Sequence, residues 1–182
     1  VVYGEDNWSG ASDLSATFSL GWDASNLYVA VSVLDDVHAQ TENGERIFRG
    51  DSVEFLLDRA LQDDRQHDKL SDDDYQIGLS PGDLREETVL AQAYMWFPLG
   101  QTGSLSGVQV AARLSVDGYV LEAAVPWSVL EVEPVIGNEY GFALSVSDND
   151  LYEVAMQQTM VSSSVGRSLT DPTTWGHLRL EP

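Results

Sequence analysis

The sequence predicts an all-β protein, an antiparallel β-sandwich of jelly-roll-like type with about ten strands. Apolar and polar residues alternate with period two along most of the chain, whereas helical periodicity is scarce. Clusters of Gly, Pro, Asn and Asp separate the alternating segments at intervals of about 8–12 residues. Hydrophobic residues make up 43% of the 182 residues, which is enough to fill a sizeable core.

The strands follow from the alternation in chain order. The first half predicts strands at 14–20, 26–35, 51–58, 74–80 and 89–97. The second half predicts strands at 106–116, 118–126, 140–148, 153–161 and 174–180. Asp117-Gly118, between two alternating segments, is the clearest hairpin turn. A proline at its start makes 126–130 the candidate for a short helix, and the acidic segment 61–74 is expected to be a surface loop.

Length and termini bear on the organisation of the chain. We expect one domain over residues 1–182, because this length suits a single core. The chain starts at Val1 without a methionine, so we expect a mature protein or a module of a longer protein. The absence of cysteine excludes disulfides and thiolate metal sites. No run of 18 apolar residues suggests a membrane span.

The chain is strongly acidic. Its formal net charge is −21, and Lys69 is the single lysine. A polyanion of this strength is repelled by nucleic acid and by anionic lipid, so neither nucleic-acid binding nor membrane insertion is expected. Two interpretations of the acidity stay open. It is either a solvated surface that favours solubility, or a charge that bound calcium neutralises in part.

Strand alternation also predicts a binding face. If the strands lie in one sheet, its face away from the core displays Glu54, Gln76, Tyr94, Trp96, Arg113 and Glu122. An aromatic ring stacks on the C–H bonds of a sugar, and carboxylate, amide and guanidinium groups bind its hydroxyls. The alternative is structural: Arg113 pairs with Glu122 or Glu54 across strands, and Trp96 packs under a loop.

Acidic residues cluster at predicted strand ends. If the strands at 26–35 and 51–58 are antiparallel neighbours, the end of one lies beside the start of the other. A second acidic segment, SDND, ends another strand. Oxygen ligands from loops suit Ca²⁺, so the sequence predicts a calcium site. Its candidate ligands are Asp35, Asp36, Asp51, Asp148 and Asp150, with Asn149 beside them. A weaker second candidate combines Asp72, Asp73 and Asp74 with Asp58.

Several motifs, in one order along the chain, carry a family resemblance. They include Trp22-Asp23, Leu27-Tyr28, Gly50-Asp51-Ser52-Val53-Glu54, Gly118-Tyr119 and Asp171-Pro172. Together they resemble family 9 carbohydrate-binding modules. The resemblance implies a β-sandwich, structural calcium, recognition of plant-type glucan or xylan chains, and no catalytic activity. It also implies a secreted or cell-surface protein.

The resemblance further implies two aromatic side chains that clamp a sugar ring. Phe48 occupies the first clamp position, and Leu169, which has no aromatic face, occupies the second. Glu54 matches a polar ligand of the family, whereas Gly78 stands where the family has an arginine. The scaffold is therefore expected to be kept without most of the family's sugar clamp. Either the sugar site has moved, towards Trp96, or the chain binds something else.

Two function classes follow. The leading hypothesis is a non-catalytic carbohydrate-binding accessory module that contacts sugar through Trp96, Tyr94 or Phe48, Glu54, Gln76 and Arg113. The alternative is a structural or adhesion module that kept the scaffold and lost sugar binding. An enzyme is not expected, because the three histidines are dispersed without metal spacing or a paired nucleophile.

Overall fold

The computed structural model describes residues 1–64 and 66–182, and within them two antiparallel sheets lie face to face. The smaller sheet contains β1 (Leu14–Trp22), β2 (Asn26–Asp35), β7 (Gln109–Ser115) and β8 (Gly118–Pro126), in the order β1-β2-β8-β7. The larger contains β3 (Ser52–Asp58), β4 (Asp74–Ser80), β5 (Gln92–Phe97), β6 (Gly103–Ser104), β9 (Glu139–Asp148), β10 (Thr159–Ser162) and β11 (Gly176–Arg179). Its order is β10-β9-β3-β4-β5-β6, and β11 also pairs with β9.

Short helices connect the strands. The α-helix α1 spans Leu61–Asp64, inside the segment predicted as a loop. The 3-10 helices are Glu5–Asn7, Gly44–Arg49, Leu99–Gln101, Trp127–Val129 and Pro172–Thr174. The two sheets confirm the predicted β-sandwich. A 3-10 turn at Trp127–Val129 replaces the short helix expected at 126–130. Arg65 lies outside the described residues.

One predicted strand is much shorter than expected. Of the segment 153–161, only its last residues belong to β10. The preceding residues form a turn around Asn149, whose side-chain amide donates to the carbonyls of Leu151 and Val154 at 3.2 and 3.1 Å. Side-chain bonds of this kind compete with strand pairing, and alternation alone does not reveal them.

The core lies between the two sheets. Alternate residues of each central strand are fully buried there, as the alternation predicts. Val31 of β2 and Leu121 of β8 come from the smaller sheet, and Phe55 and Ile77 come from β3 and β4 of the larger. The rings of Phe55 and Phe142 stack with centroids 6.1 Å apart.

Strand β3 is buried on both faces. Its outward side chain Leu56 packs with Ala143 and Trp175 in a second, smaller cluster. The outer face of the larger sheet is therefore covered in part by the 3-10 helix Gly44–Arg49 and by the segment that leads to Trp175. The part left open between these two coverings forms a cavity.

Gly118 is required by the β7–β8 hairpin. Ser115 pairs with Gly118, so Val116 and Asp117 form a two-residue loop. Gly118 has a φ of +138°, and a Cβ placed there would lie 2.3 Å from the carbonyl oxygen of Val33. Only glycine satisfies both the backbone conformation and this approach.

Candidate functional site

A cavity of about 550 Å³ opens on the outer face of the larger sheet. It is called the Phe48 cavity below, and its lining comes from the sheet, from the 3-10 helix before β3, from the N-terminal segment and from the loop after β10. The lining residues are Val2, Tyr3, Phe48, Glu54, Gln76, Trp96, Gln157, Met160, Arg167, Ser168 and Leu169.

The polar part of the cavity is centred on the carboxylate of Glu54. The Arg167 guanidinium donates to one oxygen of Glu54 at 2.9 Å, and the Gln76 amide donates to the other at 2.9 Å. Arg167 also donates to Ser145 Oγ, which lies beside Glu54 on the neighbouring strand. The side chains of Arg167 and Glu54 are only 6% and 7% exposed, so this ion pair is buried. Burial raises the pKa of Glu54, although Arg167 and Gln76 both act against that rise.

Aromatic rings form one wall. The Phe48 and Trp96 rings meet edge to face with centroids 6.2 Å apart, and Tyr94 packs against Trp96 at 5.6 Å. Trp96 Nε1 donates to the carbonyl of Glu45 at 2.9 Å, which fixes the indole. The pairing of β4 with β5 shifts between Gln76 and Ile77, and this irregularity lies beside Trp96.

Gly78 makes room for the indole of Trp96. A Cβ on Gly78 would lie 2.4 and 2.6 Å from two atoms of the Trp96 ring. Gly78 of β4 pairs with Glu54 of β3. The Trp96 ring therefore fills the space beside Glu54 that a side chain at position 78 would occupy. The guanidinium reaches Glu54 from the opposite side, where Ser145 of β9 pairs with Glu54.

The structure brings together four of the predicted contact residues: Phe48, Glu54, Gln76 and Trp96 all line the cavity. Tyr94 does not line it but supports Trp96. The prediction for Arg113 was wrong, because Arg113 lies on β7 in the other sheet. Glu122 lies on that sheet as well. Alternation assigns a side chain to a face of its own strand, but it does not say to which sheet the strand belongs.

Sequence reasoning missed Arg167 and Tyr3. Arg167 lies two residues before Leu169, and it is one of only nine Lys and Arg residues in a chain of net charge −21. Because cationic side chains are scarce in this chain, an arginine two residues from a suspected site residue is a signal that could have identified Arg167 as part of the site. Tyr3 is 54% exposed, and its segment is held by Val2 N–H donating to the Met160 carbonyl at 2.8 Å. No sequence pattern indicates that pairing.

A second group of polar residues lies at one rim of the sandwich, where β2 and β9 end and β3 begins. The five predicted aspartates meet there, and Asp13 and His38 join them. Carboxylate or imidazole atoms lie within 4.8 Å of one another in three sets: Asp35 with His38 and Asp51; Asp13 with Asp36 and Asp150; and Asp35 with Asp148 and Asp150.

Asp51 organises this rim. Its carboxylate accepts the backbone N–H groups of Ala39 at 2.6 Å and Asn149 at 3.0 Å, and it contacts His38 Nδ1 at 2.9 Å. His38 Nε2 lies 3.0 Å from the carbonyl of Gly82. Burial lowers the pKa of His38, but contact with Asp51 outweighs that effect and the pKa is raised.

The remaining carboxylates of the rim suit a hard cation. Asp35 Oδ2, Asp148 Oδ1 and Asp150 Oδ1 are buried atoms without a hydrogen-bond partner among the described residues. Burial, followed by the charge of Asp51, raises the pKa of Asp35 to about 8 and that of Asp148 to about 9. Oxygen atoms that are buried, acidic and mutually repelling are the donor set that Ca²⁺ accepts. The weaker candidate, Asp72–Asp74 with Asp58, forms no comparable cluster among the described residues.

The fold and the cavity define a ligand-binding β-sandwich module, with an aromatic wall above a buried ion pair. A family model described as carbohydrate family 9 binding domain-like matches residues 2–182. The chain belongs to this family, and the expected family membership is confirmed. Within the described residues, no helix is long and apolar enough to cross a membrane.

The curated relatives are much longer than this chain, which matches only part of each. The chain is 29% identical over 175 residues to endo-1,4-beta-xylanase A of Thermotoga maritima, covering 94% of the chain and 14% of the relative. It is 28% identical over 141 residues to exoglucanase XynX of Acetivibrio thermocellus, covering 78% of the chain and 11% of the relative. The chain thus spans about one seventh or less of the length of these curated relatives.

Solved structures share the fold. A carbohydrate binding module family 9 from Caldicellulosiruptor kristjanssonii, in complex with cellotriose, superposes with a TM-score of 0.71. The sequences are 22% identical, and the match covers 95% of this chain and 78% of that one. The same module in complex with glucose also gives a TM-score of 0.71, with 22% identity, over 95% of this chain and 80% of that one.

Proposed function

We propose that the Phe48 cavity binds neutral polysaccharide or oligosaccharide of the glucan or xylan class without catalysing its cleavage. The observation that carries this proposal is the aromatic wall of Phe48 and Trp96 above the buried Glu54–Arg167 pair. The relatives named as a xylanase and an exoglucanase, and the related module in complex with cellotriose, point to the same ligand class. The chain would act as an accessory module of a secreted or cell-surface protein.

Binding would combine stacking with paired hydrogen bonds. A sugar ring would lay its C–H face on the aromatic wall, while its hydroxyls reach Glu54, Gln76 and Arg167. Each oxygen of Glu54 accepts one protein donor and keeps a lone pair for a hydroxyl. The buried ion pair holds these groups in place before the ligand arrives, which lowers the entropy cost of binding.

Calorimetric titration with cello- and xylo-oligosaccharides tests this proposal. Phe48→Ala should weaken binding about fivefold, since an aromatic contact contributes about 1 kcal/mol beyond its area. Phe18→Ala is a matched control, because Phe18 is exposed at 38% and does not line the cavity. Equal binding by wild type and Phe48→Ala would place the ligand elsewhere. Release of reducing sugar from the polysaccharide would contradict the non-catalytic part of the proposal.

The second candidate is a structural or adhesion module. It is favoured by Leu169, which offers no ring surface, and by the Trp96–Glu45 hydrogen bond, which shows that part of the indole serves packing. This candidate predicts a folded chain that retains none of a panel of insoluble glucans and xylans. Retention that free oligosaccharide competes away would exclude it.

The proposal includes calcium at the acidic rim. Asp35, Asp148 and Asp150 would supply oxygen ligands, and the ion would offset the repulsion among the buried carboxylates. A ligand present at 100 times its dissociation constant stabilises the folded state by about 2.7 kcal/mol. Calcium should therefore raise the melting temperature and EDTA should reverse the rise. Asp148→Asn should abolish the effect, whereas Asp117→Asn in the exposed hairpin should retain it. A calcium-independent melting temperature in the wild type would refute the metal site.

A further inference from the structure

The outer face of the smaller sheet carries a second recess, of about 660 Å³. It lies on the opposite side of the sandwich from the Phe48 cavity and is called the Tyr28 trough below. Two rows of outward residues cross the four strands in the order β1, β2, β8, β7. They are Gly21–Tyr28–Ala124–Gln109 and Ser19–Ala30–Glu122–Ala111.

The two rows alternate small and large side chains. Tyr28 lies between Gly21 and Ala124, and Glu122 lies between Ala30 and Ala111. Tyr28 and Glu122 are diagonal neighbours, a geometry that separates residues by about 7–8 Å. The space above Gly21 is open, since a Cβ there would meet no atom within 4 Å. The small residues thus form a floor from which an aromatic ring and a carboxylate rise.

Tyr28 is held rigidly while its ring stays accessible. Its hydroxyl donates to Asp23 Oδ2 at 2.9 Å and accepts from Asn26 Nδ2 at 3.4 Å. Asp23 is itself fixed by the backbone N–H groups of Ser25 and Asn26, at 2.7 and 2.8 Å. Tyr28 is nevertheless 41% exposed. An aromatic surface held in this way loses little conformational entropy when a ligand stacks on it.

The polar groups of the trough are available to a ligand. Glu122 and Gln109 are both exposed, and in the part of the chain that the structure describes neither side chain has a hydrogen-bond or ion-pair partner. Arg113 lies on the next row of the same face, opposite Val120, and it too has no ion-pair partner among those residues. The cross-strand pairing of Arg113 with Glu122 is therefore not formed.

The charge of the chain restricts the ligand. With a net charge of −21 and a carboxylate in the trough, the chain repels polyanions. Protein interfaces are built around large buried anchors, whereas half of the eight floor and wall positions here are Gly or Ala. A narrow, uncharged, hydroxyl-rich chain fits the remaining features: it can enter the recess, stack on Tyr28 and donate hydroxyls to Glu122 and Gln109.

We infer that the Tyr28 trough is a second binding site for a neutral polysaccharide chain, separate from the Phe48 cavity. The two sites lie on opposite faces, so either can fail without the other. The inference goes beyond the proposed function because it assigns a different surface and two binding sites per chain.

Calorimetric titration with cellohexaose, xylohexaose, soluble xylan and hydroxyethylcellulose tests the inference. In the Phe48→Ala background, Tyr28→Ala should lower the residual affinity at least about fivefold. Glu122→Gln should lower it less. Ala111→Arg should block the trough without removing a contact, because Ala111 is exposed on the edge strand β7. Leu34→Ala, at an exposed position of the same face but outside the trough, should change nothing.

Thermal unfolding of each variant guards against loss of fold, and Tyr28→Phe keeps the ring if Tyr28→Ala unfolds. Residual binding that is unchanged in both Tyr28→Ala and Ala111→Arg, or in Ala111→Arg alone if Tyr28→Ala unfolds, would overturn the inference. So would one ligand per chain with all affinity lost in Phe48→Ala. Concentration-dependent dimerisation that Ala111→Arg abolishes would also overturn it, by assigning the trough to a second copy of the chain. Loss of all binding in Phe48→Ala, with no change in the trough variants, would support the proposed function and overturn the second site. Loss in the trough variants, with no change in Phe48→Ala, would support the second site and contradict the proposed function.

Discussion

Replacing Gly78 by alanine tests how the Phe48 cavity is built. The new methyl group would overlap the Trp96 ring, at 2.4 and 2.6 Å, and would approach Ile47 Cδ1 at 2.9 Å. Ile47 is fully buried whereas Trp96 is only partly buried, so we expect the indole to move. Moving it breaks the 2.9 Å hydrogen bond from Trp96 Nε1 to the Glu45 carbonyl and displaces the aromatic wall beside Phe48.

The magnitude follows from two opposing effects. Overpacking a filled region costs about 1–3 kcal/mol. Replacing glycine by alanine lowers the conformational entropy of the unfolded chain, which stabilises the folded state by about 0.4–1 kcal/mol. We therefore expect Gly78→Ala to lower the free energy of unfolding by about 0.5–2 kcal/mol. For a chain of this size, that lowers the melting temperature by about 1–8 °C, since 1 kcal/mol corresponds to about 2–4 °C.

A double-mutant cycle with Trp96→Ala isolates the clash. Urea denaturation should show that Gly78→Ala costs stability in the wild type but little in the Trp96→Ala background, because the overlapping ring is gone. Gly107→Ala is the matched control, since a Cβ at Gly107 meets no atom within 4 Å. An equal cost in both backgrounds would refute the packing of Trp96 on Gly78, and with it the explanation of the aromatic wall.

Three further predictions concern the ion pair, the acidic rim and the hairpin. Arg167→Met leaves Glu54 buried without its partner and should lower the free energy of unfolding by about 3–5 kcal/mol in urea denaturation. Adding Glu54→Gln should recover most of that stability. If the double variant stays as unstable as Arg167→Met, the cost does not come from the unpaired charge. In metal-free protein, Asp35 and Asp148 hold protons that the unfolded chain releases near about pH 4. Their contribution to stability is complete below that pH and is lost as the pH rises towards 8 and 9. The melting temperature in EDTA should therefore fall between about pH 4 and pH 9. A melting temperature that rises over this range would show that the pKa values of these two groups are not raised by folding. Gly118→Ala should cost about 1–3 kcal/mol because of its φ of +138° and the approach to a carbonyl, and a stability change no larger than that of Gly107→Ala would contradict the required glycine.

Much of the fold is predictable because burial follows alternation. Period two alone predicts that Phe55 and Ile77 face the core, and both are fully buried. The acidic rim was predicted from a pairing that does not form, because β2 and β3 belong to different sheets. Asp35 and Asp51 meet because the end of β2 and the start of β3 lie at the same rim of the sandwich. His38 joins the rim through a loop, and no strand pattern places it.

The cavity was only partly predictable. Glu54 and Gln76 lie on adjacent paired strands, so their shared face followed from register. Arg113 was assigned to the same face because its strand alternates equally well, yet β7 belongs to the other sheet. Which strands share a sheet depends on long-range pairing, and that is encoded in no single segment. Arg167 contacts Glu54 from a loop 113 positions later in the chain, and loops carry no periodicity.

The double burial of β3 has a consequence for how this molecule can change. Within a few residues, the strand and its entry supply a carboxylate to the rim at Asp51, a carboxylate to the cavity at Glu54 and a ring to the core at Phe55. Because these roles alternate between faces, inserting or deleting one residue after Asp51 would send Glu54 into the core and Phe55 into the cavity. Substitutions of residues around the cavity can therefore change its ligand preference, but insertions or deletions in β3 cannot. In a library of variants with insertions or deletions in β3, retained ligand affinity would therefore show that the strand register is kept, as well as the contacts to the ligand.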